Sequence, residues 1–393
     1  MVTGFMFRDV RSYNPNTRNQ ELETRNIPQV LWNAMSRRTE YCGPAVTIRK
    51  AQPRIQEFAL IRALARRFAR NTSQLVQGIG DDAAVIAAPA PGWWHVTTDL
   101  LAEGVHFDLR TASAESVGYR AAIANLSDIA AMGASPRYLL ISLAAPRTFT
   151  PARIFELYEG LMQACRLHGV ALIGGDTSSS KAGVFVSITL IGTTISGRAL
   201  FRRGAHVGDS IYVTGTLGDS LAGLQLLTNA KSNRSTLRPF APLRKPHRDF
   251  LVQRHLRPTA RIGEGQWLNS ARLATAAIDL SDGLSGDLRH ICEESRVGAE
   301  IDLSAIPISP ACSAYAESRH LRPVQLALTG GEDYELLFTA PPAKHSAIER
   351  QARAHGSQIT RIGRIRARRF GMQMKTTDGT MRPIPMSSYE HFR

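Results

Sequence analysis

The sequence has few of the features that are typical of secreted proteins, membrane-spanning proteins or proteins with structural zinc sites. Its 393 residues include only four cysteines, and no two of them form a C-x-x-C pair. The cysteines are Cys42, Cys165, Cys292 and Cys312. Such sparse spacing argues against a disulfide scaffold or a zinc site and predicts a reducing, cytoplasmic location. No apolar run approaches the roughly 18 residues of a membrane span, and the N-terminus lacks the apolar segment of a secretory signal, so we expect no membrane partner.

Acidic residues are outnumbered by basic ones, 33 against 48, which gives a formal net charge of +15. The excess is scattered, with local clusters at 66–67 and 364–369, and no aromatic-interleaved basic stripe or DNA-binding motif is present. Because a basic balance also suits polyphosphate ligands, we expect no specific nucleic-acid partner. A basic RNA-binding protein is the alternative from a different class, and salt-dependent RNA binding without ATP turnover would favour it.

The chain divides by pattern into an extension and two domains. Residues 1–55 mix Asn, Arg, Thr and Pro without a sustained period, which predicts a disordered extension or an upstream start codon, with Met35 as another candidate start. From residue 56 apolar positions recur at helical spacing. We expect an N-terminal domain over 56–197 that binds ATP and metal and dimerises, and a C-terminal domain over 198–393. A proline-rich basic stretch at 229–247 predicts an exposed insert.

Two adjacent carboxylates follow a Gly-X-Gly turn in the stretch 78–85, Gly-Ile-Gly-Asp-Asp-Ala-Ala-Val. Neighbouring carboxylates repel each other unless a cation lies between them, and Mg²⁺ is the usual oxygen-bound ion beside phosphates. One alternative is a dinucleotide site of the G-x-G-x-x-G/A type, although Asp81 and Asp82 would then lie beside the pyrophosphate. Another is a surface turn with solvated aspartates.

Acidic residues recur beside small residues along the chain. A predicted strand at 95–98 delivers Asp99 at its end, and a predicted helix at 116–132 carries Asn125 and Asp128 on one face. Strands at 170–173 and near 277 run into further glycine-aspartate turns, and a helix should follow at 284–295. The acidic positions are 81, 82, 99, 128, 176, 279, 282, 332 and 333. So many at strand ends predict a shared cleft that holds several metal ions.

Together these motifs resemble those of the thiamine-monophosphate kinase family, which belongs to the aminoimidazole-ribonucleotide synthetase superfamily. The matching stretches are 78–85, 97–107, 125–134, 174–177, 212–220, 257–261, 277–284, 330–336 and 389–392. Their order and spacing agree over about residues 56–393. The resemblance implies an aminoimidazole-ribonucleotide synthetase-like fold of class α/β plus α+β. It also implies an N-terminal α/β domain that pairs in a homodimer, a C-terminal α+β domain, and transfer of the γ-phosphate of ATP to thiamine monophosphate, giving thiamine diphosphate.

The resemblance also implies roles for individual residues. Several Mg²⁺ ions would be held by Asp82, Thr97, Thr98, Asp99, Asp128, Asp176, Asp279 and Asp282. Of these, Asp99, Asp128 and Asp176 would form the catalytic triad that gathers the ions bridging the ATP phosphates. The ATP contacts would be Gly175, Asp176, Arg202 and Ser281, and the contacts to thiamine monophosphate would be His106, Glu332 and Tyr389. Thr97 stands where the family commonly has serine, and Ser388 where it commonly has glycine.

The nearest rival function is that of another ATP-using enzyme of the same superfamily, acting on a different small substrate. A selenide enzyme would need a reactive cysteine or its equivalent near the first glycine loop, and 78–85 contains none. The purine-pathway enzyme lacks the combination of Asn-Leu-Ser-Asp at 125–128 with Gly-Gly-Glu-Asp-Tyr-Glu at 330–335.

Overall fold

The computed structural model describes residues 75–77, 80–87, 92–194, 197–229 and 242–385. The predicted extension at 1–55, Tyr389 and most of the predicted basic insert lie outside these residues. Within the described ranges, no helix is long and apolar enough to cross a bilayer.

The first sheet has six strands in the order β1-β2-β3-β6-β4-β5. Only the β4–β5 pair is parallel. The strands are β1 Leu75–Gln77, β2 Ala84–Ala87, β3 Trp93–Ala102, β4 Ser135–Ala145, β5 Ala171–Ser179 and β6 Phe185–Thr194. One face is covered by two helices, α1 Ala114–Ala131 and α2 Pro151–Leu167. The inner positions of β3 and β6, and those of β4 from Leu139 onward, alternate with more exposed ones, as expected for a sheet covered on one side.

Helix α1 is buried along almost its whole length, which its alanine-rich sequence permits. It begins at Ser113, whose side chain accepts a hydrogen bond from the backbone N–H of Ser116. At the crossing with α2, a Cβ added to Gly118 would lie only 1.8 Å from the carbonyl oxygen of Leu157. Small residues therefore let the two helices approach closely.

The second sheet has seven strands in the order β13-β12-β9-β11-β7-β10-β8. Its strands are β7 Ser210–Thr214, β8 Ala276–Asp279, β9 Gly298–Asp302, β10 Leu336–Ala340, β11 Ile359–Arg366, β12 Met372–Lys375 and β13 Met381–Pro383. The helices of this half are α3 Asp219–Asn229, α4 Lys245–Leu256, α5 Ile262–Ser270, α6 Leu284–Ser295, α7 Pro310–Ser318, α8 Pro323–Thr329 and α9 His345–Ala354. The mainly antiparallel sheet with separate helices matches the expected α+β class. The predicted domain boundary at 197–198 falls between β6 and β7 and stays a prediction.

Three local predictions differ from the structure. Asp99 lies within β3 and not at its end, because the ladder between β3 and β6 continues as far as the pair Ala102 and Phe185. Strand β5 runs through the glycine-aspartate turn predicted at 174–177, because its pairing with β4 continues to Ser179 past an irregularity in register. The predicted insert ends early, since α4 begins at Lys245. The helix predicted at 284–295 is confirmed as α6.

Candidate active site

Three aspartates from separate elements converge at the centre of the molecule. Asp82 precedes β2, Asp128 lies on α1 and Asp279 ends β8, and each offers one carboxylate oxygen within 4.8 Å of the other two. They meet because α1 packs against both β3 of the first sheet and β8 of the second. We call these three residues the acidic cluster.

Strand β3 adds two more oxygen-bearing side chains next to the acidic cluster. Thr97 and Asp99 lie on the inner face of the strand, and the hydroxyl of Thr97 donates a hydrogen bond to the Asp128 carboxylate. Thr98 points to the opposite face, as the two-residue period of a strand requires, and its hydroxyl donates to the carbonyl oxygen of Ile188 at 2.8 Å. The side chain of Thr98 is therefore turned away from the acidic cluster, and only its backbone could contribute to it.

The acidic cluster concentrates negative charge in a buried position. Burial and the repulsion of Asp82 raise the pKa of Asp99 to about 6 and that of Asp279 to about 8. Burial, with repulsion from Asp99 and Asp279, raises the pKa of Asp128 well above its usual value. A set of carboxylates with such pKa values favours either protons or a cation, and a hard divalent ion fits the all-oxygen donors.

Arg202 supplies the positive charge closest to this set. Its guanidinium pairs with Oδ1 of Asp82, which leaves Oδ2 of Asp82 buried without a hydrogen-bond partner. The backbone N–H of Arg202 donates to Oδ2 of Asp81 at 3.2 Å, and the N–H of Asp82 donates to Oδ1 of Asp81 at 3.0 Å. Asp81 is thus engaged in holding the loop, whereas the orphaned oxygen of Asp82 is an available ligand for a metal ion.

The loop after β8 holds one further acidic residue predicted from the sequence. Asp282 lies in the turn before α6, and the carboxylate of Asp287 accepts hydrogen bonds from the backbone N–H groups of Asp282 and Gly283, at 3.2 and 3.0 Å. Burial and repulsion from Asp282 raise the pKa of Asp287 well above its usual value. Sequence reasoning missed Asp287, although an aspartate in the first turn of the predicted helix was a usable signal for such a backbone contact.

The structure brings the two described residues expected to contact thiamine monophosphate close together. Ring atom Nδ1 of His106 accepts a hydrogen bond from the N–H of Ala102 at 3.0 Å, so the neutral ring carries its hydrogen on Nε2. Glu332, in the loop before β10, donates its backbone N–H to the carbonyl oxygen of Ser281 at 2.8 Å. Both residues contact Arg120 of α1. Ser281, an expected ATP contact, is therefore hydrogen-bonded to Glu332, an expected substrate contact.

The structure does not bring Gly175 and Asp176 to the acidic cluster of their own chain. They lie on β5, the exposed edge strand, three strand positions from β3 and hence about 14 Å away across the sheet. Asp176 pairs with Ser142 and shares its outward face, whereas Asp99 pairs with Ile188 on the inward face. Gly175 is required for close approach, because a Cβ there would lie 1.9 Å from the carbonyl oxygen of Ile141.

Comparison with known proteins agrees with this architecture. The family model of the AIR synthase related protein, N-terminal domain, matches residues 80–194, and that of the C-terminal domain matches residues 206–375. The thiamine-monophosphate kinase of Bacillus subtilis (strain 168) is 35% identical over 341 residues, covering 86% of this chain and 100% of that protein. The thiamine-monophosphate kinase of Escherichia coli (strain K12) is 38% identical over 339 residues, covering 86% of this chain and 98% of that protein. The structure of AaThiL complexed with AMPPCP and TMP superposes with a TM-score of 0.73 at 35% identity, covering 86% of this chain and 97% of that one.

The acidic cluster draws on both matched domains, since Asp82 and Asp128 fall in the N-terminal match and Asp279 falls in the C-terminal match. Identity at this level extends over almost the full length of the relatives. With its two-domain α/β fold, the chain belongs to the thiamine-monophosphate kinase family of the AIR synthase related proteins.

Proposed function

We propose that this protein transfers the γ-phosphate of ATP to thiamine monophosphate, giving thiamine diphosphate in the last step of thiamine diphosphate biosynthesis. The observation that carries the proposal is the acidic cluster, built from both domains beside Arg202 and next to the loops of His106 and Glu332. Relatives named for this reaction, one of them in complex with AMPPCP and TMP, supply the substrate class.

Magnesium fits the residues present at this site. The first ion would be held by Asp82, Asp128 and Asp279. The buried Oδ2 of Asp82, which has no hydrogen-bond partner, is a second observation that supports a cation at this position. Asp99 and Thr97, on the inner face of β3, would extend the donor set to further ions. When bound, Mg²⁺ neutralises the charge of the phosphates and aligns their oxygens.

The protein's own residues have a modest chemical task. The nucleophile is an oxygen of the substrate phosphate, which is already ionised at neutral pH, so no strong general base is needed. What opposes the reaction is repulsion between an anionic donor and an anionic acceptor, and positioning with charge neutralisation is what phosphoryl transfer requires. Arg202, which pairs with Asp82, would meet the ATP phosphates, and the Nε2 hydrogen of His106 would be donated to the acceptor phosphate.

A homodimer completes the proposed site. Asp176 points away from the acidic cluster of its own chain and lies on β5, which is the edge strand of the sheet among the described residues. It can therefore serve as a ligand only at the acidic cluster of a second copy of the chain. The outer face of the first sheet also carries exposed apolar side chains, among them Leu100 and Tyr138. Such a face with an open strand edge suits burial against a second copy.

Mixing two inactive variants tests this trans arrangement. If Asp176 acts across the interface, a heterodimer of Asp128→Asn and Asp176→Asn chains contains one intact site, and randomly reassorted dimers should recover about a quarter of wild-type activity. If both residues acted within one chain, no mixture would recover activity. An active Asp176→Asn protein would remove Asp176 from the site altogether.

The function itself is tested with purified protein, thiamine monophosphate and Mg-ATP, followed by chromatography for thiamine diphosphate. Accumulation of thiamine diphosphate with matching release of ADP is the expected result. ATP turnover only on another small substrate would favour a different enzyme of the superfamily. We also propose a reducing, cytoplasmic location, with which the free, buried state of Cys165, Cys292 and Cys312 agrees.

A further inference from the structure

Arg120 is the most deeply buried arginine among the described residues near the site, with a side chain that is 1% exposed. It lies on α1, two turns before Asp128. A buried guanidinium is unfavourable unless charged and polar partners surround it, so its contacts indicate why it is there.

Those contacts join the two substrate-facing loops at a single atom. Nη2 of Arg120 forms an ion pair with Oε1 of Glu332 at 2.5 Å and also donates to the carbonyl oxygen of His106 at 3.2 Å. Glu332 lies 212 residues further along the chain. One guanidinium nitrogen therefore sets the distance between the loop that follows β3 and the loop that precedes β10.

The second oxygen of Glu332 is constrained from another side. Oε2 lies 3.6 Å from Nδ1 of His255 on α4, and the same ring nitrogen lies 3.0 Å from the hydroxyl of Ser220. Burial and the nearby positive charge of Arg120 lower the pKa of His255 to about 4, so this ring is neutral at pH 7. The charge of Glu332 is consequently balanced by Arg120, and its side chain remains 27% exposed.

The backbone of the Glu332 loop needs this support. Glu332 has φ of +63° and Tyr334 has φ of +52°, both in the left-handed region that non-glycine residues seldom occupy. Such strained residues persist where surrounding contacts determine them, and they concentrate at ligand sites. The ion pair to Arg120 is a contact of this kind, anchored to a rigid helix.

We propose that Arg120 is a positioning residue for the thiamine monophosphate subsite. It orients the Glu332 carboxylate toward the cationic thiazolium and holds the His106 loop at a matching distance, so that the two contacts meet the substrate together. This inference rests on the proposed function and extends it to a residue that makes no direct substrate contact. Loss of residues that orient the ligands of a metal site costs about 10- to 100-fold in affinity or activity, and we expect an effect of similar size for Arg120.

Steady-state kinetics of Arg120→Lys and Arg120→Met proteins test the proposal. The KM for thiamine monophosphate should rise by about 10-fold or more in Arg120→Met, and by less in Arg120→Lys, which keeps the charge but not the fork of donors. The KM for ATP should change little. Arg120→Lys also provides active protein if Arg120→Met fails to fold.

Arg257→Lys is the matched control. Arg257, at the end of α4, contacts α1 by an ion pair with Glu115 and by stacking over Tyr119, and in the described part of the chain its side chain hydrogen-bonds to Glu115 and Gln163 instead of Glu332. It should lower the melting temperature without raising the KM for thiamine monophosphate. The inference would be wrong if the Arg120 variants changed the KM for thiamine monophosphate and the KM for ATP equally. It would also be wrong if Arg257→Lys raised the KM for thiamine monophosphate as the Arg120 variants do, because Arg120 would then only contribute to packing.

A double-variant cycle separates positioning from general stability. If Arg120 acts through Glu332, replacing Arg120 in a Glu332→Gln background should raise the KM for thiamine monophosphate far less than it does in the wild-type background. Fully additive effects would refute the inference while leaving the proposed function standing. Absence of wild-type turnover would instead refute the proposed function, and the inference with it.

Discussion

Replacing Asp128 with asparagine should have opposite effects on stability and on catalysis. The substitution keeps the shape of the side chain but removes one charge from the acidic cluster, whose oxygens lie within 4.8 Å of one another. At an effective dielectric constant of about 20, two unit charges at that distance repel by about 3.5 kcal/mol. Partial protonation and Arg202 relieve part of this repulsion, so a net gain of about 1–2 kcal/mol is expected in the metal-free protein.

A gain of that size corresponds to a rise of a few degrees in melting temperature for a protein of this length. Catalysis should change in the other direction, because asparagine cannot supply the negative charge that holds the ion. Turnover at saturating Mg²⁺ should fall at least about 100-fold, since even residues behind the ligands of a metal site contribute 10- to 100-fold.

The assay measures melting temperature with EDTA and with Mg²⁺, and turnover, on one preparation at pH 8. Asp209→Asn is the control, because Asp209 is a buried carboxylate that accepts hydrogen bonds from Thr275 and from the backbone of His206, away from the acidic cluster, whereas Asp128 is half-buried within it. It should lower the melting temperature and spare the turnover of folded molecules. An Asp128→Asn protein that melts several degrees lower and turns over near the wild-type rate would show that Asp128 is a structural helix residue.

Three further outcomes are expected. Without metal, the melting temperature should fall as pH rises from about 4 to about 8. The pKa values of Asp99 and Asp279 are raised to about 6 and about 8, so over this range the folded state holds protons that the unfolded chain has released. Saturating Mg²⁺ should flatten this slope, and a melting temperature independent of pH in EDTA would contradict the assigned charge cluster. Free thiamine should not be phosphorylated, since the site is suited to neutralising two phosphate groups that meet; efficient formation of thiamine diphosphate from thiamine would overturn this view. A chain that begins at residue 54 should fold and turn over normally, because residues 1–53 lack periodicity and family motifs; loss of soluble protein or of activity would show that the extension supports the enzyme.

Local pattern was enough to predict several elements and the acidic positions of the site. Helix α6 follows from the spacing of its apolar residues after the turn at Asp282 and Gly283, and it begins and ends where the sequence predicts. Asp82, Asp128 and Asp279 could be singled out because aspartates recur at glycine turns and beside small residues along the chain. That these three side chains lie close together was expected only from their positions at strand ends and from the family resemblance, because the sequence gives no distances between them.

Tertiary packing decided which of these residues share a site. The direction of Thr98 depends on strand phase, and the place of Asp176 depends on strand order, which puts β5 at the edge and turns its carboxylate outward. The contact between Arg120 and Glu332 joins positions that no local pattern relates. Periodicity in the sequence reports only which face of an element is apolar. The partner of each polar group depends on which distant elements pack against it, because a charge that is buried without a partner is costly.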